Sequence, residues 1–195
     1  MITELHTAPT LYPITLPELK AHLRIDTGTV DDEAQESTAL DALRLAAIKY
    51  IEAITRRKLL TQTWDYYLND WPDVDYINIP FGRLQSVTSV SYKDTDGTET
   101  TLTENTDYLV ETNGDHIGRL VLPYCESWPT SSLYPSKPIK IRFVCGWTAA
   151  ASVPYALTAA VKLAAEMFWL RGEADDTLDP AISTLVQDYR LYEHF

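Results

Sequence analysis

The apolar residues of this chain change their spacing twice, and that switch limits the folds open to it. Leu40, Leu43, Ala47, Tyr50, Ile51 and Ile54 recur at three- and four-residue steps, the period of one helix face, with Leu45 and Ile48 widening it. From Thr61 the step shortens to two: Tyr76-Ile-Asn-Ile79, Ser86 to Tyr92 with Val87 and Val90, and Ile139 to Cys145 alternate as half-buried strands do. After Gly146 the helical step returns, with Leu157, Ala160, Val161, Ala164 and Phe168 on one stripe and Leu163, Met167 and Leu170 on another. The order helices, strands, helices predicts an α+β fold: a mostly helical core from N- and C-terminal helices with an inserted antiparallel β-rich region.

Local punctuation sets the boundaries. Thr15-Leu-Pro-Glu18 is a capping box with an early proline, opening a short helix through about Arg24. An acidic turn from Asp26 to Asp32 leads into a helix from about Asp32 to Arg57. Acids at its start and Arg56-Arg57-Lys58 at its end suit the helix dipole. Thr63, Trp64, Tyr66, Tyr67 and Leu68 begin the strands, and Asp96-Gly97 turns a hairpin into Glu99 to Leu102. With Tyr108 to Glu111 and Arg119 to Leu122, about seven short strands in one antiparallel sheet are expected. Prolines at 123, 129, 135 and 138 mark an irregular loop. Ser152 is a candidate cap with Pro154 in the first turn, Gly172 and Glu173 to Asp176 end that helix, and Asp179-Pro180 opens a last one through about Tyr192. No repeat or linker is visible, so 1–195 reads as one domain: helical 15–57, β-rich 61–145, helical 153–192.

Composition narrows the function. With 45% hydrophobic residues, 195 residues support one substantial core. No apolar run approaches the roughly 18 residues of a membrane span, and Met1-Ile-Thr-Glu-Leu-His6 lacks the pattern of a signal peptide, so a cytoplasmic origin is expected. Cys125 and Cys145 are too few for a disulfide framework and read as reduced, buried thiols. A formal charge of -12 argues against a broad grip on nucleic acid, whereas a channel lined by carboxylates would let DNA slide.

Motifs for chemistry are missing. His6, His22, His116 and His194 have no metal-ligand spacing, and the glycines form no phosphate loop. Asp94-Thr-Asp-Gly97 reads as a hairpin turn, since a calcium loop would not place Tyr92 before it or strands around it. Asp31-Asp32-Glu33 with Glu36 suits either a divalent cation or a helix dipole. Neither cysteine has a neighbouring histidine, and no Gly-x-Ser-x-Gly elbow occurs. Hence no catalytic, cofactor-binding or metal residue is named, and no cofactor is expected.

Several segments, in order, resemble the head-tail connector (adaptor, or DNA-packaging) proteins of tailed bacteriophages. Pro13-Ile-Thr-Leu-Pro-Glu-Leu-Lys-Ala-His-Leu-Arg-Ile-Asp26 is similar to that family's opening. Asp31-Asp32 with Ala47-Ile-Lys-Tyr-Ile-Glu-Ala-Ile-Thr-Arg56 is similar to its long helix. Leu59-Leu60-Thr-Gln-Thr-Trp64 and Ile79-Pro-Phe-Gly-Arg-Leu-Gln-Ser-Val-Thr-Ser-Val-Ser-Tyr92 resemble its passage into strands. Phe143-Val-Cys-Gly-Trp147 with Val153-Pro154 resembles its closing strand and turn. The resemblance implies a non-enzymatic virion protein at the head-tail junction, assembled in the bacterial cytoplasm. It would form a ring homo-oligomer, a dodecamer, under the portal protein and above a tail-side connector or stopper. DNA would pass its channel without sequence-specific binding, and no membrane would be involved. Exposed aromatics would anchor such contacts, and the candidates are Trp128, Tyr134 and a C-terminal face of Leu185, Tyr189, Arg190, Tyr192 and Phe195. The alternatives are another phage assembly or tail-completion protein, or a small hydrolase with a site assembled from distant residues.

Overall fold

The structure, a computed structural model, describes residues 2–25, 30–170 and 179–191, with side chains left out over 30–36. The expected acidic turn at Asp26, the carboxylates of Asp31, Asp32, Glu33 and Glu36, the helix end at Gly172 to Asp176, and Tyr192, His194 and Phe195 therefore lie outside the described residues. The chain divides into two compact units, Met1–Thr10 with Thr61–Gly146 and Leu11–Leu60 with Trp147–Phe195, so it passes between them three times.

The second unit holds helices α1 (Leu16–Leu23), α2 (Val30–Thr55), α3 (Tyr155–Trp169) and α4 (Pro180–Val186). The capping box forms: the Thr15 backbone N–H donates to the Glu18 carboxylate at 2.7 Å, and the Glu18 N–H donates to Thr15 Oγ1 at 3.3 Å. Arg24 turns left-handed at φ 53° and closes α1. Arg56, at φ 54°, ends α2 in the same way, so the basic run lies beyond the helix and not in its last turn, as the dipole argument had expected. Arg57 is instead a buried brace, donating from Nε to the Tyr189 carbonyl at 2.6 Å. Pro154 precedes α3 without a side-chain cap, while the expected cap, Ser152, lies in a single 3-10 turn. Asp179 does cap α4, accepting from the Ala181 N–H at 2.7 Å. Leu19, Ile51, Leu157, Val161, Ile182 and Val186 meet in one aliphatic core filled out by small Ala47, Ala160, Ala164 and Ala165.

The first unit is made of strands. β1 (Ile2–Thr7), β2 (Gln62–Leu68), β4 (Leu84–Lys93), β5 (Glu99–Leu102) and β8 (Ile139–Cys145) form a five-stranded sheet in the order β1-β2-β8-β4-β5. β3 (Tyr76–Gly82), β6 (Leu109–Glu111) and β7 (Ile117–Val121) form a second sheet, ordered β3-β7-β6. All pairings between these strands are antiparallel. The inner faces share one core: Ile139, Ile141 and Phe143 of β8 meet Ile77, Ile79 and Leu120 of the smaller sheet. Phe81 of β3 lies edge-on to Trp64 of β2 at 4.9 Å between ring centroids. Gly118 belongs where it is because a Cβ there would come 2.5 Å from Leu84 across the two sheets.

Two sequence expectations are overturned. The molecule is not a mostly helical core with an inserted β-rich region: among the described residues, two antiparallel sheets of eight strands enclose a core of their own, separate from that of the four helices. Nor do the strands form one sheet: alternation says only which side of a strand is apolar and not which strand lies beside it. The N-terminal strand Ile2–Thr7 was missed, because its burial is slight and its pairing partner lies in β2. Asp96-Gly97 does turn the β4–β5 hairpin: Gly97 sits at φ 82°, and Asp94 Oδ1 accepts from the N–H groups of Asp96 and Thr98.

Candidate interaction surfaces

Alternation in β2 and β8 aims Asp65, Tyr67, Lys140 and Arg142 away from the core while Tyr66, Ile141 and Phe143 face into it. The outer face of the five-stranded sheet is therefore polar and cross-linked. Arg142 grips Asp65 through two hydrogen bonds of 2.7 and 2.8 Å, with His6 Nδ1 3.9 Å from the same carboxylate. Hydrogen bonding to Arg142, aided by its charge, holds the Asp65 carboxyl below the usual range. Glu99 accepts from Ser91 Oγ at 2.7 Å and Lys140 Nζ at 3.0 Å, which lowers its carboxyl likewise. Lys137 pairs with Glu4 and lies 4.7 Å from the Tyr67 ring centroid. Burial and the nearby Asp65 and Glu4 charges push the Tyr67 phenol up.

The outer face of the three-stranded sheet is different. Register places Tyr76, Val121 and Leu109 side by side in one row, followed by Asn78, Arg119 and Glu111. Tyr76 is 40% exposed and Leu109 38%, and neighbouring Val74 is 46% exposed. Arg119 pairs with Glu111 and leans toward the Tyr76 ring at 5.6 Å.

The anchors named from the sequence fall in different places. Trp128 is only 8% exposed: its ring stacks on Trp71 at 5.0 Å and its N–H donates to the Val74 carbonyl at 2.9 Å, so it is core and not an exposed anchor. Tyr134 is 43% exposed and lines an open cleft of about 500 Å³ with Asn69, Asp70, Trp71 and the 129–135 loop. That lining contains one carboxylate, Asp70. Leu185 and Tyr189 pack half-buried against the helical core, and Arg190 is half-buried at the end of the last 3-10 turn. Tyr134 belongs to the β unit, and Leu185, Tyr189 and Arg190 belong to the helical one. Cys145 is buried as expected, but Cys125 is exposed, because it turns left-handed at φ 66° in the proline-rich loop.

The residues that shape the two sheet faces were not singled out from the sequence. The signal was there in Ile139-Lys-Ile-Arg-Phe143, where basic residues alternate with core residues, but pairing was needed to set Asp65 opposite Arg142. Among the described residues there is no cluster of three or more metal-ligating side chains. No helix among them is long and apolar enough to cross a membrane.

No protein-family profile and no curated protein sequence matches the chain. Solved structures do. One is a chain from the neck of an empty GTA particle computed with C6 symmetry, 24% identical with a TM-score of 0.80. Another is from the virion of a native gene transfer agent (GTA) particle, 24% identical with a TM-score of 0.79. A third is from the neck of a native GTA particle computed with C12 symmetry, 21% identical with a TM-score of 0.74. Each match covers 100% of this chain and 98% of the other. At these identities the likeness is one of fold. The neighbours come from the necks or the virion of such particles.

Proposed function

We propose that this protein is a structural subunit of a phage-like particle neck, a head-tail connector that forms a ring under the portal and around the DNA channel. The observation that carries this reading is the fold match to neck chains, which covers 100% of this chain and 98% of theirs. The ordered resemblance of the sequence to connector proteins supports it independently. So does a formal charge of -12, which suits a wall that DNA slides past. In this reading the protein is not an enzyme, its partners are further copies of itself, the portal protein and a tail-side connector, and its place is the head-tail junction.

The C-terminal segment with Leu185, Tyr189, Arg190, Tyr192 and Phe195 is the proposed docking face for the portal. Truncation after Asp179 would not test it cleanly, because it removes Ile182 and Val186, both fully buried. Removing 192–195 and changing Arg190→Glu spares that core. The reading is tested by light scattering of the purified protein alone and mixed with its portal protein. A ring-sized mass, or a complex with the portal that the trimmed variant loses, is the expected outcome. A monomer inert to the portal would overturn it.

A further inference from the structure

The β unit has two outer faces on opposite sides of its shared core, and they differ in charge. On the five-stranded face, Lys93, Lys137, Lys140 and Arg142 stand against Glu4, Asp65 and Glu99: four bases against three acids, a formal +1. The whole unit, 1–10 with 61–146, holds thirteen acids and six lysines and arginines, a formal -7, so everything outside that face carries -8. On the three-stranded face Glu111 pairs with Arg119, and the acids that stand beside its exposed apolar side chains are the two that precede β3. Asp73 and Asp75 lead into its row of Tyr76, Val121 and Leu109.

Two different, complementary patches on opposite sides of one unit cannot mate by a two-fold axis. They can mate head to tail, and such a contact, repeated by rotation, closes a ring. We propose that the β units of neighbouring copies stack in this way, the five-stranded outer face of one copy on the three-stranded outer face of the next. Tyr76 and Leu109 then supply the desolvated centre, where interface energy concentrates. Lys93 and Lys137 meet the acids at 73 and 75, which steers the approach and fixes its polarity. A second copy is favoured over a foreign protein because the chain itself carries both halves of the match. The inference rests on the neck-subunit reading and adds the surfaces that would make the ring.

The test is a charge swap in the full chain, read by sedimentation velocity at low salt and the highest soluble concentration. All the substituted positions lie outside the core. Lys93→Glu with Lys137→Glu, or Asp73→Lys with Asp75→Lys, should each abolish the oligomer. All four together should restore it, since every contact is then reversed on both sides. Tyr76→Ser with Leu109→Ser should also abolish it. Circular dichroism checks each fold, and if a charge variant fails that check the uncharged pair decides. Wild-type oligomers that persist in the single-face variants and in the Tyr76/Leu109 pair overturn this interface and leave the neck reading standing. A wild type that is monomeric at every concentration and inert to the portal overturns both. An acidic face that captures the portal while the wild-type chain stays monomeric overturns the stacking alone.

Discussion

The two units of this chain are built by different means. In the helical unit, boundaries follow from neighbours in sequence: Thr15 with Glu18, Asp179 with Ala181, and left-handed turns at Arg24 and Arg56. Its buried core is largely aliphatic, with Trp147 its one fully enclosed aromatic among the described residues, and it is thinned by alanines, which let helices approach closely. In the β unit, order comes from distant partners, such as Gln62 and Cys145, 83 positions apart. Its core is crowded with aromatics, Trp64, Phe81 and Phe143 at one end and Trp71 and Trp128 at the other. The lesson is that local signals specify the first kind of unit almost completely, whereas the second is specified only once strands find each other.

If that contrast is right, a defect in the β core should spread through the sheets and leave helices standing. Phe143→Ala, at a fully buried site, should cost about 3–5 kcal/mol. In a background carrying Trp147→Phe and Trp169→Phe, where the remaining Trp64, Trp71 and Trp128 all belong to the β unit, urea unfolding should then show tryptophan fluorescence lost before the helical circular dichroism. Coincident loss of both signals would break the comparison, making the chain one cooperative body. Arg142→Gln is the next largest, about 1.5–3 kcal/mol, because it leaves the nearly buried Asp65 carboxylate short of its charged partner. Since the Asp65 pKa is depressed in the folded state, its contribution is present above the ordinary value of 3.8 and fades as pH falls below it. Acid unfolding of the wild type should therefore have a component below about pH 4 that the Arg142 variant lacks. An unchanged acid profile would show the pair to be inert. The smallest effect is Thr15→Ala, about 1 kcal/mol, confined to the helical unit and seen as faster amide exchange in α1. Equally faster exchange in the sheets would contradict the independence of the local cap.

The same contrast explains what could be read in advance. The starts of α1 and α4 follow from the sequence because caps are neighbourly properties, but α4 ends at Val186 and passes into a 3-10 turn, short of the expected end near Tyr192. β5 and β8 were likewise placed at Glu99–Leu102 and Ile139–Cys145, since alternation is local too. The division into two sheets, the addition of β1 and the pairing of Asp65 with Arg142 were hidden, because each depends on residues that meet only after folding. Trp128 shows the cost for surface reasoning. Among prolines it looked like a loop aromatic in search of a partner, yet its partner was Trp71, far back along the chain. Tyr76 and Leu109 escaped notice for the opposite reason: each looks like an ordinary strand residue until register sets them in one exposed row.

The three passages of the chain between its units bear on the order in which a nascent chain can become structured. β1 is made first, but it has no partner until β2 emerges, and β2 has no inner neighbour until β8 is made. α1 and α2 must likewise hold their apolar faces until α3 arrives, about a hundred residues after α2 ends. Synthesis therefore completes the sheets first and the helical unit last. Through that interval Leu19, Ala47 and Ile51 lack the cover that Leu157 and Val161 later supply. The vulnerable species in a cell is a half-made chain with finished sheets and waiting helices, the form on which chaperones and proteases would act.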